Sequence, residues 1–292
     1  MYNLIVNSSH VSNSNKNTYT YQFKQGSFEV PPNSEAMISS FQIPYSFYNI
    51  TTRYNNNSFK FYWPTGSNTY ATYTFTAEDG FYTMAAMNAR LQQFFLDNRL
   101  YTTDASGNYT YYLSFTANTV AYANQIIAKV VPTAASANVI AATGGPPSFP
   151  GFPTVARTPY MEIISGQNFG KYIGLRTGTY PAVPLSQTTN YSVLSNITPL
   201  TTVVNSLVLK CSLVNNQTTN QSDIIDAFAI GSSAITTFGA NLSFSNQIEK
   251  FVNISEGRYN NIIFSIVDQN LNEVIILDEN LLISLLIRKK KI

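Results

Sequence analysis

A chain of 292 residues is long enough to bury a sizeable core without disulfide or metal staples. A single cysteine, Cys211, excludes an intrachain disulfide framework, and a net charge of +2 gives no strong field for nucleic acid or an anionic membrane. Charged residues make up only 11%, and their place is taken by amide and hydroxyl side chains with 20 Tyr and 19 Phe, a surface suited to packing against neighbours.

Residues 5–17 read as a polar arm, ordered only in an assembly, and hold the one histidine, His10. Tyr19, Tyr21 and Phe23 then alternate with polar residues, the period-two signal of a strand. Pro44 is followed by Tyr45, Phe47 and Tyr48, which break alternation and are expected to be exposed at an interface, where tyrosine offers an apolar body and a polar tip. Tyr73 and Phe75, set between threonines, mark another strand. From Thr83 onward Met84, Met87, Leu91, Phe94 and Phe95 recur at helical spacing, so an amphipathic helix capped by Thr83 and stopped at Asn98 is expected to lie on a sheet. Tyr109, Tyr111, Leu113 and Phe115 form a further alternating strand.

Residues 133–142 read as loop or mobile strand, and the proline-rich stretch 144–153 as a long exposed loop, since proline lacks the N–H that a ladder requires. Leu207–Cys211 is an apolar strand in which Cys211 is a small buried hydrophobe. At the C-terminus, Ile262–Val267, Val274–Leu277 and Leu281–Ile287 read as a three-stranded meander. The closing Arg288, Lys289, Lys290 and Lys291 form a solvated end that blunts strand pairing, or a salt-sensitive charge contact with nucleic acid or an acidic neighbour. No stretch reaches the roughly 18 apolar residues of a membrane span, and a chain without a secretion signal is expected to stay in a reducing compartment.

Motifs that carry chemistry are scarce. One histidine and one cysteine cannot make a zinc site, and His10 sits on an arm ill-suited to hold a general base. The stretch Ser165–Gly174 is like a phosphate loop but is one residue short and has Tyr172 where Ser or Thr must bind magnesium, so a turn and short helix packed tightly through glycine is expected. Asp268, Asn270, Asn272 and Glu279 partly match a calcium loop, but Glu273 replaces its glycine and a strand follows, which favours a plain turn. The acidic pairs Glu78/Asp79, Asp223/Asp226 and Asp278/Glu279 sit at turns or element ends, where carboxylates commonly cap amides. No catalytic residues, cofactor or metal are therefore expected.

The order of features resembles the penton, or vertex, capsid proteins of virophages and polinton-like viruses, mavirus-like in pattern, and related minor capsid proteins of large DNA viruses. The resemblance rests on Val30-Pro31-Pro32-Asn33-Ser34-Glu35, then Glu78-Asp79-Gly80-Phe81-Tyr82-Thr83 with Met87-Asn88-Ala89-Arg90-Leu91. It continues with Ser165 to Leu175 and Thr179-Tyr180-Pro181, then Leu207 to Asn216, and last Phe264-Ser265-Ile266-Val267-Asp268 with the closing strand. It spans nearly the whole chain, as an order of short motifs.

What the resemblance implies is an all-β, single jelly-roll β-sandwich with an inserted, mainly β domain carrying one short amphipathic helix. The long apolar strands at both ends place the jelly roll in residues 1–66 and 195–292, and the irregular middle places the insertion in 67–194. The implied role is structural: a homopentameric vertex capsomer of an icosahedral double-stranded DNA virus, located in the virion and made in the host cytoplasm or viral factory. Its partners would be itself, the major capsid protein, minor capsid proteins, and a host receptor or glycan met by the insertion. A minor capsid or cement protein, a lectin or fibre-head-like module, and a glycoside hydrolase with two facing carboxylates remain as rival readings.

Overall fold

Strands with aromatic and β-branched residues on one face need an opposing apolar surface, and the chain supplies that surface twice. A computed structural model describes residues 1–144, 146–215, 221–230, 238–246 and 248–290. The chain divides into two units, Met1–Phe47 with Thr202–Ile292, and Tyr48–Thr201.

Eight principal strands build the first unit: β1 (Tyr2–Asn7), β2 (Thr18–Gln22), β3 (Ser34–Pro44), β4 (Ser206–Cys211), β5 (Ile224–Ala229), β6 (Asn241–Ser245), β7 (Asn261–Asp268) and β8 (Leu282–Lys289). One sheet runs β1-β8-β3-β6 and the other β5-β4-β7-β2, with every neighbour antiparallel. Thus β1 pairs with β8, β2 with β7, β3 with β6 and β4 with β5. That is the pairing of one long hairpin ribbon rolled into two sheets, the jelly roll. The second unit enters the chain between β3 and β4.

Alternation fixes which side chains fill this sandwich. Along β8, Ile283, Leu285 and Ile287 are buried while the residues between them are half-buried. Opposite them, Leu207 and Leu209 of β4 and Ile262, Phe264 and Ile266 of β7 are buried from the other sheet. Phe41 of β3 and Phe228 of β5 join the two sheets, their ring centroids 5.1 Å apart, and Phe244 of β6 packs on both. Each such buried side chain contributes about 1.5–3 kcal/mol of transfer free energy.

Two expectations for this unit are corrected. The C-terminal segments are not a meander: β7 and β8 lie in different sheets, and Val274–Leu277 is the connection between them. Val274 and Ile276 are buried, and the amides of Ile276 and Leu277 donate to Asn15 O and Ser46 O at 3.0 and 3.3 Å. The polar arm is ordered within the unit itself. Ile5 to Asn7 continue β1 along β8, Ser8–His10 is a 3-10 turn, and Asn13 Oδ1 accepts from the amides of Asn17 and Thr18 at 3.2 Å each.

In the second unit a four-stranded antiparallel sheet orders Gly178–Tyr180, Tyr160–Ile163, Ser58–Pro64 and Tyr70–Thr76. Two three-stranded sheets accompany it: Tyr191–Leu194, Ala123–Ala128 and Leu113–Asn118, and Ile140–Ala141, Tyr101–Thr103 and Tyr109–Tyr111. Helix α1 (Met84–Asp97) is capped as its sequence predicts, Thr83 Oγ1 accepting from Ala86 N and Asn98 Nδ2 donating to Phe94 O. Its buried stripe, Met84, Met87, Leu91, Phe94 and Phe95, packs on sheet aromatics, with Phe95 5.0 Å from Phe61 and Phe94 5.5 Å from Phe75. Helix α2 (Phe169–Ile173) supplies Phe169 and Tyr172 to the same core.

Ser58–Pro64 is interior to this four-stranded sheet, so the first segment of the jelly roll ends at Phe47 and not at residue 66. The proline-rich stretch has no helix or strand among its described residues, but it is not wholly exposed; Gly145 lies outside the described residues. Trp63 Nε1 donates to Gly151 O at 3.1 Å, and Phe149 packs edge-on to the Trp63 ring at 5.7 Å.

Candidate functional site

Five of the six carboxylates in the acidic pairs of the sequence have a hydrogen-bond or ion-pair partner. Asp79 Oδ1 accepts from Thr52 N and Oγ1 at 2.7 and 3.0 Å, Asp223 pairs with Lys210 at 2.9 Å, and Asp226 accepts from Asn246 Nδ2 at 2.6 Å. Asp278 caps the amide of Asn280, and Glu279 lies 3.4 Å from Lys16 Nζ. Of these contacts, the one from Asp278 is an Asx-type turn.

Asp268 is buried, and its Oδ1 accepts from the amides of Asn270 and Asn272 at 2.8 Å each, an Asx-type turn. His10 Nδ1 lies 3.2 Å from the amide of Asn7, and its ring stacks on Tyr21 at 5.1 Å. Cys211 is buried, and burial pushes its thiol up to about 12, away from the reactive thiolate. The Ser165–Gly174 stretch is a turn followed by α2. A Cβ on Gly170 would meet the Leu175 carbonyl oxygen and come within 2.7 Å of Ile163 Cγ2, so glycine there serves close packing.

The two surface groups singled out in the sequence are placed differently from expectation. Tyr45 and Phe47 are buried in the first unit, edge to face at 5.5 Å, and Tyr48 is half-buried in the second. Their expected exposure is therefore corrected: Tyr45 N still donates to Ala240 O at 2.7 Å, and every residue from Pro44 to Phe47 is buried, so both rings turn inward. Arg288 is part of β8, its Nε 2.7 Å from Glu35 Oε1 and its Nη1 2.9 Å from Glu249 Oε2. Lys289 pairs with Ser34 in the ladder, and Lys290 N donates to Asn33 O; both side chains are exposed, and Lys291 lies outside the described residues.

Among the exposed apolar side chains of the first unit, Met1, Tyr2 and Ile5 lie along the edge strand β1, Ile248 lies between β6 and β7, and Ile263 lies within β7. An edge strand presents unpaired backbone groups as well as side chains, which makes β1 a surface open to another chain.

Solved structures include two to which this chain is similar. The crystal structure of the mavirus penton protein matches 99% of this chain and 99% of its own, with a TM-score of 0.46 and 10% identity. The Sputnik virophage structure at 3.5 Å by electron cryomicroscopy matches with a TM-score of 0.40 and 10% identity, over 99% of this chain and 97% of that one. No sequence-family description and no curated protein matches the chain. The strand order, independent of these likenesses, establishes the jelly roll.

One feature of the second unit was missed in the sequence. Beside the Ser165–Gly174 stretch lies a recess of about 370 Å³ onto which Lys171 and Arg176 open. The glycine-rich stretch was the available signal, but the two cations are separated by the end of α2, and spacing alone does not bring them to one cavity.

Proposed function

We propose that the chain is a structural virion protein that forms the pentameric vertex capsomer of an icosahedral double-stranded DNA virus capsid. The observation that carries the reading is the eight-strand order β1-β8-β3-β6 and β5-β4-β7-β2, with a second folded unit entering between β3 and β4. Jelly rolls serve capsids because rolling the ribbon leaves few open edges, while flat faces and end loops remain for neighbours. The sparse charge supports the same reading, since faces with few ions bury at little desolvation cost. So does the order of sequence motifs from Val30 to Asp268.

Five copies would meet through heterologous contacts, one edge of each subunit against a different edge of the next, closing a ring. The exposed β1 edge with Tyr2 and Ile5 is the first-unit surface best suited to such a contact. The chemistry is geometric: a subunit fills a five-fold vertex and turns over no substrate. Its place would be the virion, with the major capsid protein around it.

Negative-stain electron microscopy of the purified full chain tests this. Class averages with five-fold rings are expected. Averages without rings, or two-fold dimers, would overturn the vertex reading and favour a cement role on the same fold.

A further inference from the structure

Where the chain turns from the strand Tyr160–Ile163 into α2 and back out through Gly174, it leaves a recess in the second unit whose lining is chemically divided. Ile163, Leu175 and Ile197 give it apolar walls; Lys171 and Arg176 stand at its exposed side. No carboxylate is among the residues that line it, and neither cation is ion-paired among the described residues. Lys210 and Arg288, by contrast, each pair with a carboxylate.

A third group points the same way. Gln167 also lines the recess, and its Oε1 is buried without a hydrogen-bond partner. Native proteins pair nearly all such atoms, and an orphaned acceptor beside a cavity marks a place where a donor is missing. Turning the side-chain amide toward the recess would bring that acceptor to a ligand.

We infer that this recess binds an acidic sugar: a pyranose bearing a carboxylate or a sulfate. Each part of the site answers one part of that ligand. Arg176 and Lys171 take the anion, the guanidinium by two parallel N–H donors. The apolar walls take the C–H face of the ring, and Gln167 takes a ring hydroxyl or acetamido N–H. Inorganic phosphate lacks an apolar face, and a fatty acid lacks the donor that Gln167 requires. A volume of about 370 Å³ lies in the range of small-ligand sites and fits one or two sugar rings. The inference goes beyond the vertex role and does not rest on it, since every residue used belongs to Tyr48–Thr201.

The test is titration of the full chain, followed by ligand-observed NMR and calorimetry, with sialyllactose, a sulfated disaccharide and neutral lactose. One acidic sugar is expected to bind about tenfold or more tightly than lactose. Which of the two binds tells a carboxylate source from a sulfate source. Lys171→Ala with Arg176→Ala should abolish that preference, and Gln167→Leu should weaken binding of the acidic sugar. Both cations are exposed, so the double variant is expected to fold, which circular dichroism checks. Failure of both acidic sugars to bind at millimolar concentration, equal binding of lactose, or undiminished binding in the double variant would each overturn the inference. None of these results depends on whether the chain forms a ring.

Discussion

Arg288 and Glu35 face each other across the β8–β3 ladder, Nε to Oε1 at 2.7 Å, and the Arg288 guanidinium lies 3.4 Å over the Phe251 ring. Glu249 closes on the other side of the same guanidinium, but its side chain is 70% exposed against 11% for Glu35. Exposed pairs are screened and contribute little, whereas the stacked, cross-strand pair is held in place. Arg288→Ala should lower the melting temperature clearly, and Glu249→Gln should leave it nearly unchanged. Thermal scans at low and high salt check this; equal effects from the two variants would contradict it.

Phe41 is fully buried where the two sheets of the jelly roll meet. Phe41→Ala should cost about 3–5 kcal/mol, as a large cavity opens between rings that cannot collapse onto it. Phe244→Ala, at a half-buried position on the same cluster, should cost less. Denaturant titration of both variants measures the difference.

Gly107 and Gly174 share nearly the same backbone angle, φ +83° and +84°, in different surroundings. A Cβ on Gly107 meets nothing within 4 Å, whereas one on Gly174 would lie 2.7 Å from Ile197 O. Gly107→Ala should therefore show only the left-handed strain, about 1 kcal/mol, and Gly174→Ala distinctly more. Chemical denaturation of the pair separates strain from crowding.

Desolvation by burial carries the Cys211 thiol from 9.0 up to about 12. The folded chain thus keeps a proton that the unfolded chain releases, so this contribution to stability is complete below pH 9.0 and is lost as pH rises toward 12. Iodoacetamide at mildly alkaline pH should label Cys211 slowly in the native protein and rapidly in denaturant. Rapid labelling of the native protein would contradict the burial.

Local physics was legible in the sequence, and the pairing of distant segments was not. Thr83, the stripe Met84 to Phe95 and Asn98 specify α1 through contacts within a few residues. Alternation marks β2, and apolar runs mark β4, β7 and β8, but neither signal says which sheet a strand joins; hence β7 and β8 read as strands of one meander. Val274 and Ile276 are buried by a crossing segment whose apolar residues mimic a strand. Ser58–Pro64 alternates as well as any jelly-roll strand, so only its partners reveal that it belongs to the second unit. For Tyr45 and Phe47 a break in alternation signals only that the pattern stops, and both rings are buried. The recess of Lys171 and Arg176 depends on the reversal at Gly174, whose left-handed turn no spacing rule locates.

The five-fold ring is tested most directly by the mass of the full chain in solution, measured by light scattering across a wide range of concentration at low and moderate salt. A species of five times the 32.4 kDa chain mass, persisting as salt rises because its contacts carry little charge, is the expected result. A stable dimer or trimer over the whole range would contradict it.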